Sequence, residues 1–159
     1  MKTLAIILTV LVLLVSGVLG YALFNTALVV EGQGLQVISA ADMPEEFNAL
    51  RQAVGSNTVS GALFRNQEIV NAGDYNFYVY TLRLKNNCLV PACMTEVQMS
   101  PLQMDVLCYD EDVRVDIASG ESRDVWCVLL TEGTPTAVRE LTVTYYLWGN
   151  PQTVKYTYE

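Results

Sequence analysis

Residues 3–24 contain no charged side chain, and a run of that kind leaves a chain few ways to fold. Wound into a helix rising about 1.5 Å per residue, it reaches across the roughly 30 Å hydrocarbon core of a bilayer. Lys2 is the only cation before the run and Glu31 the first charge after it. The positive-inside bias therefore places the N-terminus in the cytoplasm and the remainder outside. The expectation is a single-pass cell-membrane protein: a signal-anchor helix over 1–24, a juxtamembrane connection over 25–34 and an extracytoplasmic domain over 35–159. A cleaved signal peptide competes with it, with Lys2 as the positive region, 4–15 as the apolar core, and Val18 and Gly20 preceding a cut before Tyr21. Length favours the anchor, because apolar residues continue to Phe24 and resume at Ala27. Both readings export the domain.

Charge and composition remove whole classes of function. Asp and Glu number 17 against 9 Lys and Arg, a net charge of −8, and the cations are not clustered, so a nucleic-acid partner is excluded. Histidine is absent, which removes Ser-His-Asp and Cys-His catalysis and imidazole metal ligation. No cofactor is implied, and the chain reads as a non-enzyme. Asp105, Asp110, Glu111, Asp112 and Asp116 crowd carboxylates into one stretch. Hard oxygen ligands suit extracellular calcium, which makes Asp105, Asp110, Asp112 and Asp116 a weak calcium candidate. The EF-hand spacing is missing, and a solvated turn accounts for the same residues.

Cys88, Cys93, Cys108 and Cys127 form an even set in an exported domain, which reads as two disulfides. Three connectivities exist. The pairing 88–93 with 108–127 is favoured, because the first pair brackets a four-residue loop and the second sits in strand-like alternations. A four-thiolate zinc site lacks its knuckles in the spacing C-x4-C-x14-C-x18-C. Buried thiols are the remaining reading, since cysteine behaves as a small core hydrophobe.

Asp42-Met-Pro-Glu45 forms a capping-box pattern, and Met43, Phe47, Leu50 and Val54 follow at helical spacing. A short amphipathic helix is expected over 43–54, its apolar stripe covering a sheet. Beyond it the period becomes two. Tyr78, Tyr80, Leu82 and Leu84 alternate with polar residues, as do Leu102, Met104, Val106 and Cys108. The pattern recurs at Val113, Val115 and Ile117, at Val125, Cys127 and Leu129, at Leu141, Val143, Tyr145 and Leu147, and at Val154, Tyr156 and Tyr158. Turn residues separate these segments at intervals too short for crossover helices, so the fold class is mainly β, an antiparallel sandwich.

The segment Tyr80-Thr-Leu-Arg-Leu-Lys-Asn-Asn87, followed by Ala118-Ser-Gly-Glu-Ser122 and a strand, resembles the immunoglobulin-like or fibronectin-type modules of exported bacterial proteins over roughly 59–158. The tryptophan between two cysteines at immunoglobulin spacing is missing. The resemblance implies a module that binds, spaces or scaffolds. Trp126, Tyr146 and Trp148 fall out of phase with the main apolar faces of their strands. They form either a second buried face or an exposed interface for a protein or cell-surface partner. The functional expectation is a membrane-anchored binding or scaffolding module of unknown ligand. Its alternatives are an accessory subunit of a membrane assembly, with Ser16, Gly17 and Gly20 allowing close helix packing, and a secreted ligand-binding domain released after Gly20.

Overall fold

Apolar composition without interruption makes the first element a helix, α1, Lys2–Phe24, with no acidic residue in its first turn and no basic residue in its last. The computed structural model of the protein describes residues 2–24, 27–65, 68–109, 114–134 and 138–158. No part of the apolar span Lys2–Ala22 is buried, so nothing in the rest of the fold covers it.

The remainder is mainly β, built as two antiparallel sheets. In chain order the elements are β1 (Leu28–Ser39), α2 (Pro44–Gly55), β2 (Gly61–Leu63), β3 (Tyr75–Asn86), β4 (Ala92–Met99), β5 (Asp105–Tyr109), β6 (Val115–Ile117), β7 (Ser122–Glu132), β8 (Arg139–Leu147) and β9 (Asn150–Tyr158). The five-stranded sheet has the order β1-β3-β7-β5-β2 and the four-stranded sheet β6-β4-β8-β9. Period-two alternation turns Tyr78, Tyr80, Leu82 and Leu84 of β3 and Val125, Cys127 and Leu129 of β7 toward one core, where Leu141, Val143, Tyr145 and Leu147 of β8 meet them.

A second core lies on the opposite face of the five-stranded sheet. There α2 buries Phe47 and Leu50 against Tyr75, Phe77, Val106, Leu107 and Leu130. Consecutive residues of β5 and β7, such as Leu129 with Leu130, are therefore both fully buried, because that part of the sheet is covered on both faces. The helix begins one residue later than the capping-box reading has it. Met43 is its N-cap and makes no side-chain cap bond, while Asp42 ends a preceding 3-10 turn capped by Ser39. Pro44 at the first helical position supplies the start instead.

The connection expected over 25–34 is mostly strand: β1 begins at Leu28 and pairs with β3 from Leu28↔Asn86 to Ser39↔Asn76, with a register shift between Val30 and Gly32. This pairing fixes the two ends of the domain. At the end where β1 starts, the Leu28 N–H donates to Tyr145 Oη at 3.1 Å, tying the first strand to the tail of β8. Asn86, fully buried, knots the loops of that end by donating to Val90 O at 2.8 Å and Ile117 O at 2.9 Å. The β8–β9 turn, Trp148-Gly149, closes there too.

Candidate functional site

Of the acidic stretch, Asp105 and Asp116 are the described members, and they make separate contacts. Asp105 is fully buried where β5 begins, and Arg139 of β8 grips it with two bonds, Nη1 to Oδ2 at 2.5 Å and Nη2 to Oδ1 at 2.8 Å. Thr131 Oγ1 and the Leu102 N–H donate to the same carboxylate at 3.2 Å and 2.6 Å. Burial alone pulls the Arg139 guanidinium below its ordinary pKa, and the bonds and charge of Asp105 overcome that and hold it above. The charge is thus spent inside the protein, joining one sheet to the other, and Asp105 is not a residue of a solvated turn. Asp116 accepts the Met94 N–H at 2.8 Å. Asp110, Glu111 and Asp112 lie outside the described residues. Among the described residues no three Asp, Glu, Cys or His side chains gather to hold a metal ion.

The cysteines divide into two unlike pairs. Cys108 stands opposite Leu129, which puts Cys127 diagonally across from it on the same face. Their Sγ atoms are 3.1 Å apart, at hydrogen-bond distance, where a covalent S–S bond measures about 2.05 Å. Both side chains line a cleft of 520 Å3 with Phe64, Val97 and Met99. Cys88 and Cys93 are not joined, and no disulfide is seen. Cys88 is buried facing Ala27 O at 3.9 Å, whereas Cys93 is half-exposed on the strand that passes Tyr146. Burial pushes the Cys88 thiol above its ordinary pKa, which makes it a poor nucleophile. The local staple expected between residues 88 and 93 is corrected on this ground: the two side chains serve different environments.

The three aromatics do not form one patch. Trp126 lies on the outer face of the five-stranded sheet opposite Thr81, 42 % exposed, while Tyr146 and Trp148 belong to the four-stranded sheet. Trp148 is the most displayed of them at 67 % exposed. It occupies the first position of a two-residue hairpin loop at φ +54°, followed by Gly149 at φ +75°. Such a type I′ turn requires positive φ at both positions and favours Asn or Gly at the first. Any L side chain there costs about 1–2 kcal/mol, so a tryptophan is held in a left-handed conformation while its ring stands in the open. Met94 repeats the combination: φ +51°, 44 % exposed, at a bulge where β4 shifts register against both neighbours. A bulge re-aims a side chain, and strain of this sort collects at functional surfaces. Sequence alternation marked Tyr146 and Trp148 as out of phase but passed over Met94. The broken alternation of β4 was its only sign.

Comparison of the chain with known protein families, with curated proteins and with solved structures finds no match.

Proposed function

We propose that the chain is a non-enzymatic, single-pass membrane-anchored module whose extracytoplasmic part, a β-sandwich of immunoglobulin-like or fibronectin-like kind, acts by contact with a partner. The observation that carries this reading is α1: a 21-residue apolar span that the domain leaves wholly uncovered, which in water would expose its entire surface. A core helix of a soluble protein is mostly buried, so lipid is the environment its composition fits. The described lining of the 520 Å3 cleft includes Cys108, Tyr109 and Cys127 but no carboxylate, lysine or arginine, and the chain has no histidine to activate a thiol. Lys2 before the span and the first acid at Glu31 beyond it support an N-terminus in the cytoplasm.

Membranes washed with alkaline carbonate are expected to retain the protein, since α1 is held by apolar burial and not by ion pairs. Protease added to intact cells is expected to remove the β domain. Soluble protein whose first residue is Tyr21 would establish the cleaved, secreted alternative instead.

An exported domain meets oxidising conditions, and there Cys108 and Cys127 are the pair that closes. Their two thiols form one S–S bond as an exchanging disulfide breaks, its two sulfurs taking the two electrons and the two protons to leave as thiols, while Cys88 and Cys93 stay reduced. Non-reducing peptide maps of protein from the native compartment are expected to show one bridged pair, 108–127, with the other two cysteines alkylated on unfolding. Four alkylatable thiols, or a bridge that includes Cys88, would overturn this assignment.

A further inference from the structure

We infer that the end of the β domain carrying Trp148 rests in the headgroup layer of the membrane that α1 enters, so that the occupant of this apolar surface is the lipid bilayer itself. The inference rests on the reading of α1 as a membrane anchor and adds to it a docked orientation of the domain.

Chain length is the first argument. Three residues separate Phe24 of α1 from Leu28, the first residue of β1, and an extended chain covers at most about 14 Å from one to the other. Leu28 is itself fixed by Tyr145, two residues before the end of β8. The hairpin tip at Trp148 therefore lies at the same end of the sheets as the exit from α1, along with the loop between β3 and β4.

The second argument is the chemistry of that end. Leu89, Met94, Tyr146 and Trp148 are exposed there at 48 %, 44 %, 37 % and 67 %. In a chain with 26 charged residues, the segments 24–30, 86–95 and 141–154 hold none. Two of them bring uncharged loops to this end and the third is the exit from α1; a further loop there, 118–121, bonded to Asn86, carries Glu121 paired with Arg123. Core positions of β4 and β8 account for part of this, and the uncharged loop tips suit a surface seated among headgroups and acyl carbons, because charge there is expensive to desolvate. At the opposite end, the exposed apolar residues are Val70, Leu102, Met104 and Val138, with no tryptophan among them. Tryptophan and tyrosine suit the boundary, since each joins an apolar ring to a polar group that stays hydrated. Held at positive φ against its conformational preference, Trp148 stands outward at the tip of this surface.

The test uses the full chain reconstituted into phosphatidylcholine vesicles. Trp126→Phe leaves Trp148 as the single fluorophore, and Trp148→Phe leaves Trp126 as the control. Lipids brominated on the acyl chain near the headgroup are expected to quench Trp148 by about two-fold, with little quenching by aqueous iodide. Trp126, on the sheet face away from this end, is expected to show the reverse. Leu89→Asp, an exposed loop change that leaves the core untouched, should weaken the lipid quenching of Trp148 while the protein stays in carbonate-washed vesicles. Iodide quenching of Trp148 without bromolipid quenching, in protein that resists carbonate, overturns the docked orientation and leaves the anchor standing. Shielding of Trp148 from both quenchers in a crosslinkable dimer overturns it in favour of a second copy. Protein that washes off with carbonate overturns the anchor and this inference together.

Discussion

Asp105→Ala is expected to cost about 3–5 kcal/mol, a large part of the 5–15 kcal/mol that holds a domain of this size together. Arg139 is 2 % exposed, and Asp105 is the acid that neutralises it. Removing the carboxylate leaves a guanidinium in the core with neither countercharge nor water. Its Nε already faces no acceptor among the described residues, and the neutral Tyr80 phenol is the other polar group bonded to it. The pair itself is a different matter from either half. Two buried charges repay their desolvation only in part, and replacing both by apolar residues of similar volume is often neutral or stabilising. Asp105→Leu combined with Arg139→Met is therefore expected to recover most of the loss. Urea unfolding of the detergent-solubilised protein, followed by tryptophan fluorescence, measures all three forms. A loss below about 1 kcal/mol for Asp105→Ala would show that water reaches Arg139 and that the two sheets are not locked by this pair.

Much of this architecture is legible in the chain, and what escapes has a physical reason in each case. The strands β3, β7 and β8 announce themselves by alternation because β3 and β7 keep an unbroken register with each other and β8 with β9, while the register shifts at their other edges place the extra residue on β1, β5 and β4. β4 is invisible to the same reading, since the bulge at Met94 inserts a residue and reverses the phase halfway along. β1 hides behind Gly32 and Gly34, which look like a linker until β3 pairs with them. Leu102 and Met104 continue the alternation of β5 on paper, yet they precede the strand and are exposed, because Asp105 draws the Leu102 N–H into a turn.

The site residues divide along the same line. The proximity of Cys108 and Cys127 depends on β5 pairing with β7 across a bulge at Val106, which sends Val106 to the core under α2 and Cys108 to the core between the sheets, so alternation places both cysteines on strands but does not bring them together. That Asp105 is a buried charge and not a surface acid depends on Arg139, 34 residues away on the other sheet, and no local pattern carries that information. The aromatic positions were marked by their phase alone. Which sheet each belongs to, and which end of the domain it reaches, depends on the order β1-β3-β7-β5-β2 and β6-β4-β8-β9, in which sequence neighbours are repeatedly separated.

Alkaline conditions are expected to unfold the protein steeply. Burial raises the pKa of Tyr78, Tyr80 and Tyr145 above the ordinary phenol value, with Arg139 and the Leu28 N–H opposing the rise in Tyr80 and Tyr145 respectively. Each of these phenols is nearly free of solvent contact in the core between the two sheets. In the unfolded chain they ionise near pH 10, while in the folded protein they keep their protons to higher pH. Above pH 10 the unfolded state therefore binds fewer protons than the native state, and stability falls as pH rises. Stability from these groups is fully present below pH 10 and is lost on the way up to their folded values. Cys88, whose thiol the same burial raises above its ordinary pKa, opens the decline about one unit earlier. One retained proton contributes a slope of about 1.4 kcal/mol per pH unit, so the three tyrosines together give about 4 kcal/mol per unit. Urea midpoints should stay level from neutral pH to about 9 and then drop, and the share of the phenolate absorbance that Tyr78→Phe, Tyr80→Phe and Tyr145→Phe each remove should appear only as the protein unfolds. Tyr145→Phe should make the drop shallower by the slope of one proton, although it also removes the bond to Leu28. If the absorbance that those three substitutions remove rises near pH 10 in protein that remains folded, water reaches these rings, and with them the interior between the sheets.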